Sequence, residues 1–286
     1  MTNPDTIIFL HIPKTAGTTI NSILQQQYES KQIYFLGLNA QESIQSYQQL
    51  AAEEKKAIRL VSGHTSYGFH KYIPGSSTYF TFLRDPVERV ISFYHFVKKH
   101  DQHYLHRSIT KEVTGIIPFV SNRWNIMVDN GQTRLISGAW LEPGSGKLTS
   151  QTFELAKKNL SQNFSVVGLT EHFDLTLLLF RKIFNWQNIN YVRKNVSKAA
   201  PRERRLTPEE RETILNYNQW DVALYEYAKE RFEQQIAALG PDYSRQLEIF
   251  QRQNFRFQNL NTPWQRRLQR ARRFSVRTSI RRMFSR

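Results

Sequence analysis

The segment IIFLHIPKTAGTTINSIL, residues 7–24, constrains this chain more than any other stretch. A short β-branched apolar run stops at Pro13, a turn of small residues with one lysine follows, and helical composition starts at Thr18. The pattern predicts a buried strand over 7–12, a turn, and a helix from 18 to about 27. A helix that starts on small residues leaves its first backbone N–H groups without partners, and its dipole favours an anion there. Ala16 and Gly17 let the backbone approach a ligand, Thr15, Thr18 and Thr19 add hydroxyl groups, and Lys14 adds a mobile positive charge. An ordinary strand–turn–helix with an incidental lysine satisfies the same pattern. The nucleotide-binding consensus G-x-x-x-x-G-K-[ST] is absent.

Further apolar runs predict strands at 32–38, 57–63, 78–83 and 164–170, and a brief one at the start of 189–206, which then becomes a basic loop. Between them lie helical patterns at 40–56, 87–99, 152–159 and 172–184. Thr207-Pro208-Glu209-Glu210 is a helix start, with a cap, a proline in the first turn and acidic residues behind it. That helix runs to about 239 with a break near Asn218, and Gly240-Pro241 ends it. The stretch 104–146 has no clear period. Alternating strands and helices predict an α/β fold with a central parallel sheet flanked by helices, whose ligands sit at the carboxyl ends of the strands. The opening turn and the Arg84-Asp85-Pro86 turn both fall at such ends.

Two counts narrow the function. The 286 residues contain no cysteine, which removes disulfide scaffolds, cysteine zinc sites and thiol nucleophiles. The net charge of +16 is uneven: from Ile249 to Arg286 there are eleven arginines and no acidic residue. The expected organisation is therefore a body over 1–245 and a basic, helical C-terminal extension over 246–286. The N-terminus lacks the pattern of a signal peptide and no apolar window reaches membrane-span length, so the expected location is the cytoplasm, with peripheral attachment at the inner membrane surface through the extension.

The turn PKTAGTT within HIPKTAGTT resembles the 5′-phosphosulfate-binding loop of the sulfotransferases that use 3′-phosphoadenosine 5′-phosphosulfate (PAPS). FLRDPVERVISFYHF, residues 82–96, is similar to the strand–turn–helix that holds the 3′-phosphate in that family. NGQTRLISG, VVGLTEHFDLTLLLF, YVRKNVSK and DVALYEYAKERF follow in family order, so the resemblance spans roughly 7–232 and points to the carbohydrate branch, heparan sulfate 2-O-sulfotransferase-like. It implies a P-loop-like sheet, PAPS as donor, adenosine 3′,5′-bisphosphate as product, and no metal. The cofactor residues it implies are Lys14, Thr15, Ala16, Gly17, Thr18 and Thr19 in the first loop, and Arg84 and Ser92 at the 3′-phosphate. Arg193, Lys194, Ser197 and Lys198 lie in a basic loop that closes over the adenosine in the family. Arg89 is either a further phosphate ligand or a partner of Asp85 or Glu88 on the helix surface.

Sulfuryl transfer requires a base for the acceptor hydroxyl, and the titration range of histidine suits that task. Of eight histidines, His64 ends a strand in Ser-Gly-His and matches the catalytic histidine of the family; His70 is its alternative or an acceptor contact. His11 reads as packed inside the strand–loop entry. Lys14 is placed to offset charge on the leaving group. The expected acceptor is a hydroxyl of a carbohydrate or glycolipid, with Asn130, Gln132 and Arg134 as contacts unless they pack their helix against the sheet. The extension predicts contact with an anionic membrane surface and no specific nucleic acid. Two other readings stay open: a non-catalytic polyanion- or membrane-binding protein on this fold, and a nucleotide-dependent phosphotransferase.

Overall fold

A computed structural model describes residues 5–37, 39–112, 115–122, 125–139, 148–193 and 206–261. Lys194, Ser197 and Lys198, and the extension beyond residue 261, lie outside the described residues. The strands are β1 (Thr6–Leu10), β2 (Ile33–Leu36), β3 (Leu60–Gly63), β4 (Ser77–Leu83) and β5 (Phe164–Leu169). The helices are α1 (Gly17–Gln27), α2 (Ala40–Gln49), α3 (Ala52–Ala57), α4 (Pro86–Lys99), α5 (Ile116–Ser121), α6 (Gly131–Ser137), α7 (Ser150–Asn163), α8 (Phe173–Ile183), α9 (Pro208–Tyr217), α10 (Gln219–Ala237) and α11 (Tyr243–Leu260).

All five strands are parallel and stand in the order β2-β3-β1-β4-β5. Such a sheet needs cover on both faces, which is why its strands are continuous apolar runs. Ile8, Phe9 and Leu10 are fully buried, as are Phe80 and Phe82 beside them. The chain leaves β1 for one side of the sheet, returns to β3, then crosses to β4 on the other side. The order thus reverses about β1, and the carboxyl ends of β3, β1 and β4 open on the crevice where ligands of such sheets lie.

Two departures from the expected elements have local causes. The single helix expected over 40–56 is two, parted at Leu50-Ala51, where Glu54 accepts the Ala51 N–H at 2.9 Å and starts α3 afresh. The brief strand expected from 189 is not one. Tyr191 instead donates its N–H to Asn254 Oδ1 at 2.8 Å and its hydroxyl to Asp174 at 2.7 Å, so this segment is bound to α11 and α8 rather than to the sheet. The helix α11 spans position 245, and its Phe250 is buried in the core. Among the described residues no helix is long and apolar enough to cross a membrane.

Candidate functional site

The turn after β1 is closed by Thr15, whose hydroxyl donates to the Ile12 carbonyl at 2.8 Å. Thr15 is fully buried, so its hydroxyl serves the turn and is not offered outward. Lys14 (φ 73°) and Ala16 (φ 63°) both adopt the left-handed backbone region. Two non-glycine residues in that region mark a turn whose shape is held by its surroundings. No side chain caps α1 and its first turn carries no acidic residue, so the positive end of the helix faces the crevice without a competing carboxylate. Gly17 has a specific reason to be glycine: an added Cβ would stand 1.7 Å from His11 Nε2. The His11 ring lies against the start of α1.

Lys14 is largely out of water, with Nζ 4.1 Å from the centroid of the Phe96 ring on α4. Burial, and secondarily the charge of Arg84, lower its pKa to about 8. Arg84 follows β4 and donates from Nη1 to the Lys14 carbonyl at 3.4 Å, while Nη2 pairs with Glu88 at 3.3 Å. The two cations read from separate motifs thus share one edge. Arg84 belongs to a turn fixed from several sides. Gln132 Oε1 accepts the Arg84 N–H and Gln132 Nε2 donates to the Arg84 carbonyl, both at 3.0 Å. Glu171 accepts the Asp85 N–H at 3.1 Å, and Thr170 donates to the Leu83 carbonyl at 3.3 Å. Asp85 in turn caps α4 by accepting the Glu88 N–H. Glu88, Ser92 and Phe96 recur at helical spacing on one stripe of α4, and Phe96 touches Lys14, so half-buried Ser92 stands on the stripe that faces the turn.

His64 follows β3 through Gly63, whose φ of 154° and the Leu36 carbonyl 2.4 Å from any added Cβ leave room for glycine alone. Its ring stacks on His11 with centroids 4.3 Å apart. His64 Nδ1 lies 3.2 Å from the His11 carbonyl. A carbonyl only accepts, so Nδ1 carries the proton and Nε2 keeps its lone pair. Burial lowers the His64 pKa, opposed by that hydrogen bond, and burial lowers His11 to about 3, with further contributions from His64 and Lys14. Both rings are neutral near pH 7. His70 has the opposite tautomer. The Tyr79 hydroxyl accepts from the Gly68 N–H at 3.2 Å and the His70 N–H at 2.9 Å, which leaves its proton for His70 Nδ1 at 3.0 Å. The proton of neutral His70 then sits on Nε2, which makes that atom a donor.

The other expected residues are distributed differently. Arg89 is fully buried and pairs with Asp221 on α10 at 3.4 Å, also donating to the Met127 carbonyl at 2.6 Å; it is neither on the helix surface with Asp85 or Glu88 nor at the crevice. Asn130, Gln132 and Arg134 are all buried. Asn130 Oδ1 accepts the N–H groups of Trp220 and Asp221 at the start of α10, while Asp221 accepts those of Gln132 and Thr133 at the start of α6, so the two helices cap each other. Arg134 pairs with Asp129 at 3.2 Å. The packing alternative describes the positions of these three, and Gln132 reaches the crevice through the Arg84 turn. Arg193 is exposed just after Tyr191. The sequence placed His11 as a packed residue but did not show its contact with His64, nor the contribution of Glu171; the glycine at position 17 was the only hint of the first.

Residues 1–228 match the model of the Sulfotransferase family. The chain belongs to that family. Among curated relatives it is 28% identical to zebrafish heparan-sulfate 6-O-sulfotransferase 2, over 81% of this chain and 59% of the relative. It is 22% identical to mouse galactose-3-O-sulfotransferase 2, over 82% of the chain and 64% of the relative. Human heparan sulfate 2-O-sulfotransferase 1 is also 22% identical, over 79% of the chain and 70% of the relative. The chain therefore spans less than two thirds of the length of the first two, and the three differ in the position they sulfate, so the match is to the carbohydrate sulfotransferases and not to the 2-O branch in particular. Among the described residues of this family member, no group of three or more His, Asp or Glu side chains is placed to hold a metal ion.

Proposed function

We propose that this family member transfers a sulfuryl group from PAPS to a hydroxyl of a carbohydrate or glycolipid. The observation that carries the reading is the meeting of Lys14, His64 and Arg84 at the carboxyl ends of β1, β3 and β4, with Arg84 bonded to the Lys14 carbonyl and His64 stacked on the same turn. The open start of α1, with Lys14, Thr15, Ala16, Gly17, Thr18 and Thr19, holds the 5′-phosphosulfate by backbone N–H groups and charge. Arg84 and Ser92 hold the 3′-phosphate, for which Arg84 exchanges Glu88 for a bidentate phosphate contact. Arg193, with Lys194, Ser197 and Lys198, covers the adenosine. Adenosine 3′,5′-bisphosphate is the product, and the reaction needs no metal. His70 borders the acceptor side as a donor.

Catalysis is in-line displacement at sulfur. His64 Nε2 takes the hydroxyl proton of the acceptor as its oxygen bonds to sulfur. The bond from sulfur to the bridging oxygen breaks, and Lys14 offsets the charge left on the 5′-phosphate. The tautomers favour His64 over His70 as base, because only the former has a lone pair at Nε2. The test is transfer of radiolabelled sulfate from PAPS to a panel of sugar acceptors. His64→Ala is expected to lose ~10²–10⁴-fold in turnover; near wild-type rates in His64→Ala or Lys14→Ala remove that residue from the mechanism.

A second property is favoured by α11. Ile249, Phe255 and Leu260 are among the few large apolar side chains left exposed, and Arg245, Arg252 and Arg256 are exposed on the same helix. With the arginine-rich sequence that follows, this suits peripheral attachment to an anionic membrane, inner-surface if the enzyme is cytoplasmic. Deletion of 260–286 is expected to lower sedimentation with anionic liposomes; unchanged, salt-insensitive partitioning contradicts it.

A further inference from the structure

Phe80, Phe9, His11 and His64 form one continuous stack. Phe9 and Phe80 are register partners on β1 and β4 with ring centroids 4.7 Å apart. Phe9 on β1 and His11, the residue just past the end of that strand, are two apart in extended chain and on the same face, with ring centroids 5.2 Å apart. His64 closes the series at 4.3 Å. The inner pair is fully buried and packed, so the ladder is anchored in the core and its last ring stands at the crevice.

Three further contacts fix the third rung. The His11 N–H donates to the Gly63 carbonyl at 3.1 Å, and the His11 carbonyl accepts from His64 Nδ1. On its other side the His11 ring occupies the space that any side chain at position 17 would need. We propose that His11 is a positioning residue: its ring, seated on Gly17 and backed by Phe9, is the platform that sets the plane of His64 and keeps water from its Nδ1 side, leaving Nε2 to meet the acceptor hydroxyl. This rests on the reading of His64 as the base.

Two properties suit His11 to this place. Its ring is flat and matches that of His64, and it takes up no proton while His64 does, because burial and the nearby His64 and Lys14 hold it neutral. The charged and titratable groups around the pair are Lys14 in the turn and Arg84 beyond it, and among the described residues no carboxylate is hydrogen-bonded to either imidazole. Among the described residues no hydrogen-bonded carboxylate therefore competes for a proton that His64 takes up.

The experiment uses the full chain with ¹⁵N-labelled histidine, in wild type, His11→Ala and His11→Phe. It reads the His64 tautomer and titration by NMR and the pH profile of kcat/KM. His64 must be neutral to act, so activity falls as pH drops through its pKa. In His11→Ala water reaches His64, its titration moves up toward the ordinary value of about 6.5, the acid limb moves up with it, and kcat near neutrality falls by about 10–100-fold, short of complete loss of the base. His11→Phe keeps the flat neutral platform, the limb stays in place, and kcat stays within about threefold of wild type, a margin well short of losing the base. An unmoved limb and tautomer in His11→Ala overturns the proposal. So does an inactive His11→Phe with normal His64 titration, which would mean that a His11 nitrogen does the chemistry; this second variant decides even where His11→Ala does not fold. The NMR signals need no turnover, so they are read whether or not His64 proves to be the base.

Discussion

The Arg84 turn offers the sharpest quantitative expectation, through Gln132. Its side-chain amide makes two hydrogen bonds to one residue, accepting from the Arg84 N–H and donating to the Arg84 carbonyl, each at 3.0 Å, and it is fully buried. Gln132→Leu keeps most of the volume and removes both bonds. A buried backbone group left unpaired costs ~1–3 kcal/mol, so the pair costs ~2–6 kcal/mol. Against a total stability of ~5–15 kcal/mol this is large but survivable. The bonds hold a guanidinium whose proposed partner is a phosphate, and a hydrogen bond to a charged group contributes ~1.5–3 kcal/mol, about ten- to hundredfold in affinity. Calorimetric titration with adenosine 3′,5′-bisphosphate and with adenosine 5′-monophosphate separates the effects, because only the first carries the 3′-phosphate. Gln132→Leu, shown folded by near-ultraviolet circular dichroism, is expected to lose at least about tenfold in affinity for the bisphosphate, one charge-assisted bond's worth, with little change for the monophosphate. Gln132→Glu, which can still accept the Arg84 N–H, is expected to fall between. If urea denaturation shows the loss of stability while the ratio of the two affinities stays at the wild-type value, Gln132 supports the fold and not the arginine.

Two other expectations follow from buried charge. Lys14 has a pKa lowered to about 8 by burial and by Arg84, so its charge is present below that pH and lost above it. Affinity for adenosine 3′,5′-bisphosphate is expected to weaken as pH rises through about 8, and a bound anion holds the proton, so the alkaline limb of kcat lies above that of kcat/KM; Lys14→Arg is expected to flatten the binding curve over this range. Asp221→Ala strips Arg89 of its carboxylate where both side chains are fully buried, and uncaps α6 as well. Breaking a buried pair costs ~3–5 kcal/mol, and the double change Arg89→Met with Asp221→Leu is expected to cost less than Asp221→Ala alone in urea denaturation.

What could be read from the sequence was local. The strand–turn–helix, the Arg-Asp-Pro turn and the Thr-Pro-Glu-Glu start are each written within a few residues, and each is closed by a short-range bond: Thr15 to Ile12, Asp85 to Glu88, Thr207 to Glu210. The parallel sheet followed from apolar runs alternating with helices. What stayed hidden was assembled across the chain. His11 and His64 meet over a separation of 53 residues, and Asn130 and Asp221 cap each other's helices over 91. For Asn130, Gln132 and Arg134, acceptor contact and packing both stayed open in the sequence, because a polar cluster near a crevice carries no mark of which way it faces. Arg89 follows Arg84 closely in the same strand–turn–helix, and only the packing of α10 decides that one guanidinium is interior and the other at the crevice.

The central claim is that Lys14 and Arg84 grip the two phosphorylated ends of one adenosine. The direct measurement is a calorimetric titration of wild type, Lys14→Ala, Arg84→Ala and the double variant with adenosine 3′,5′-bisphosphate, with ATP in the presence and absence of Mg²⁺ as control. Strong binding of the bisphosphate by wild type, weaker binding by each single variant, weaker still by the double variant, and indifference to Mg²⁺ are expected. ATP bound more tightly than the bisphosphate, or bisphosphate binding that survives both substitutions, contradicts the account.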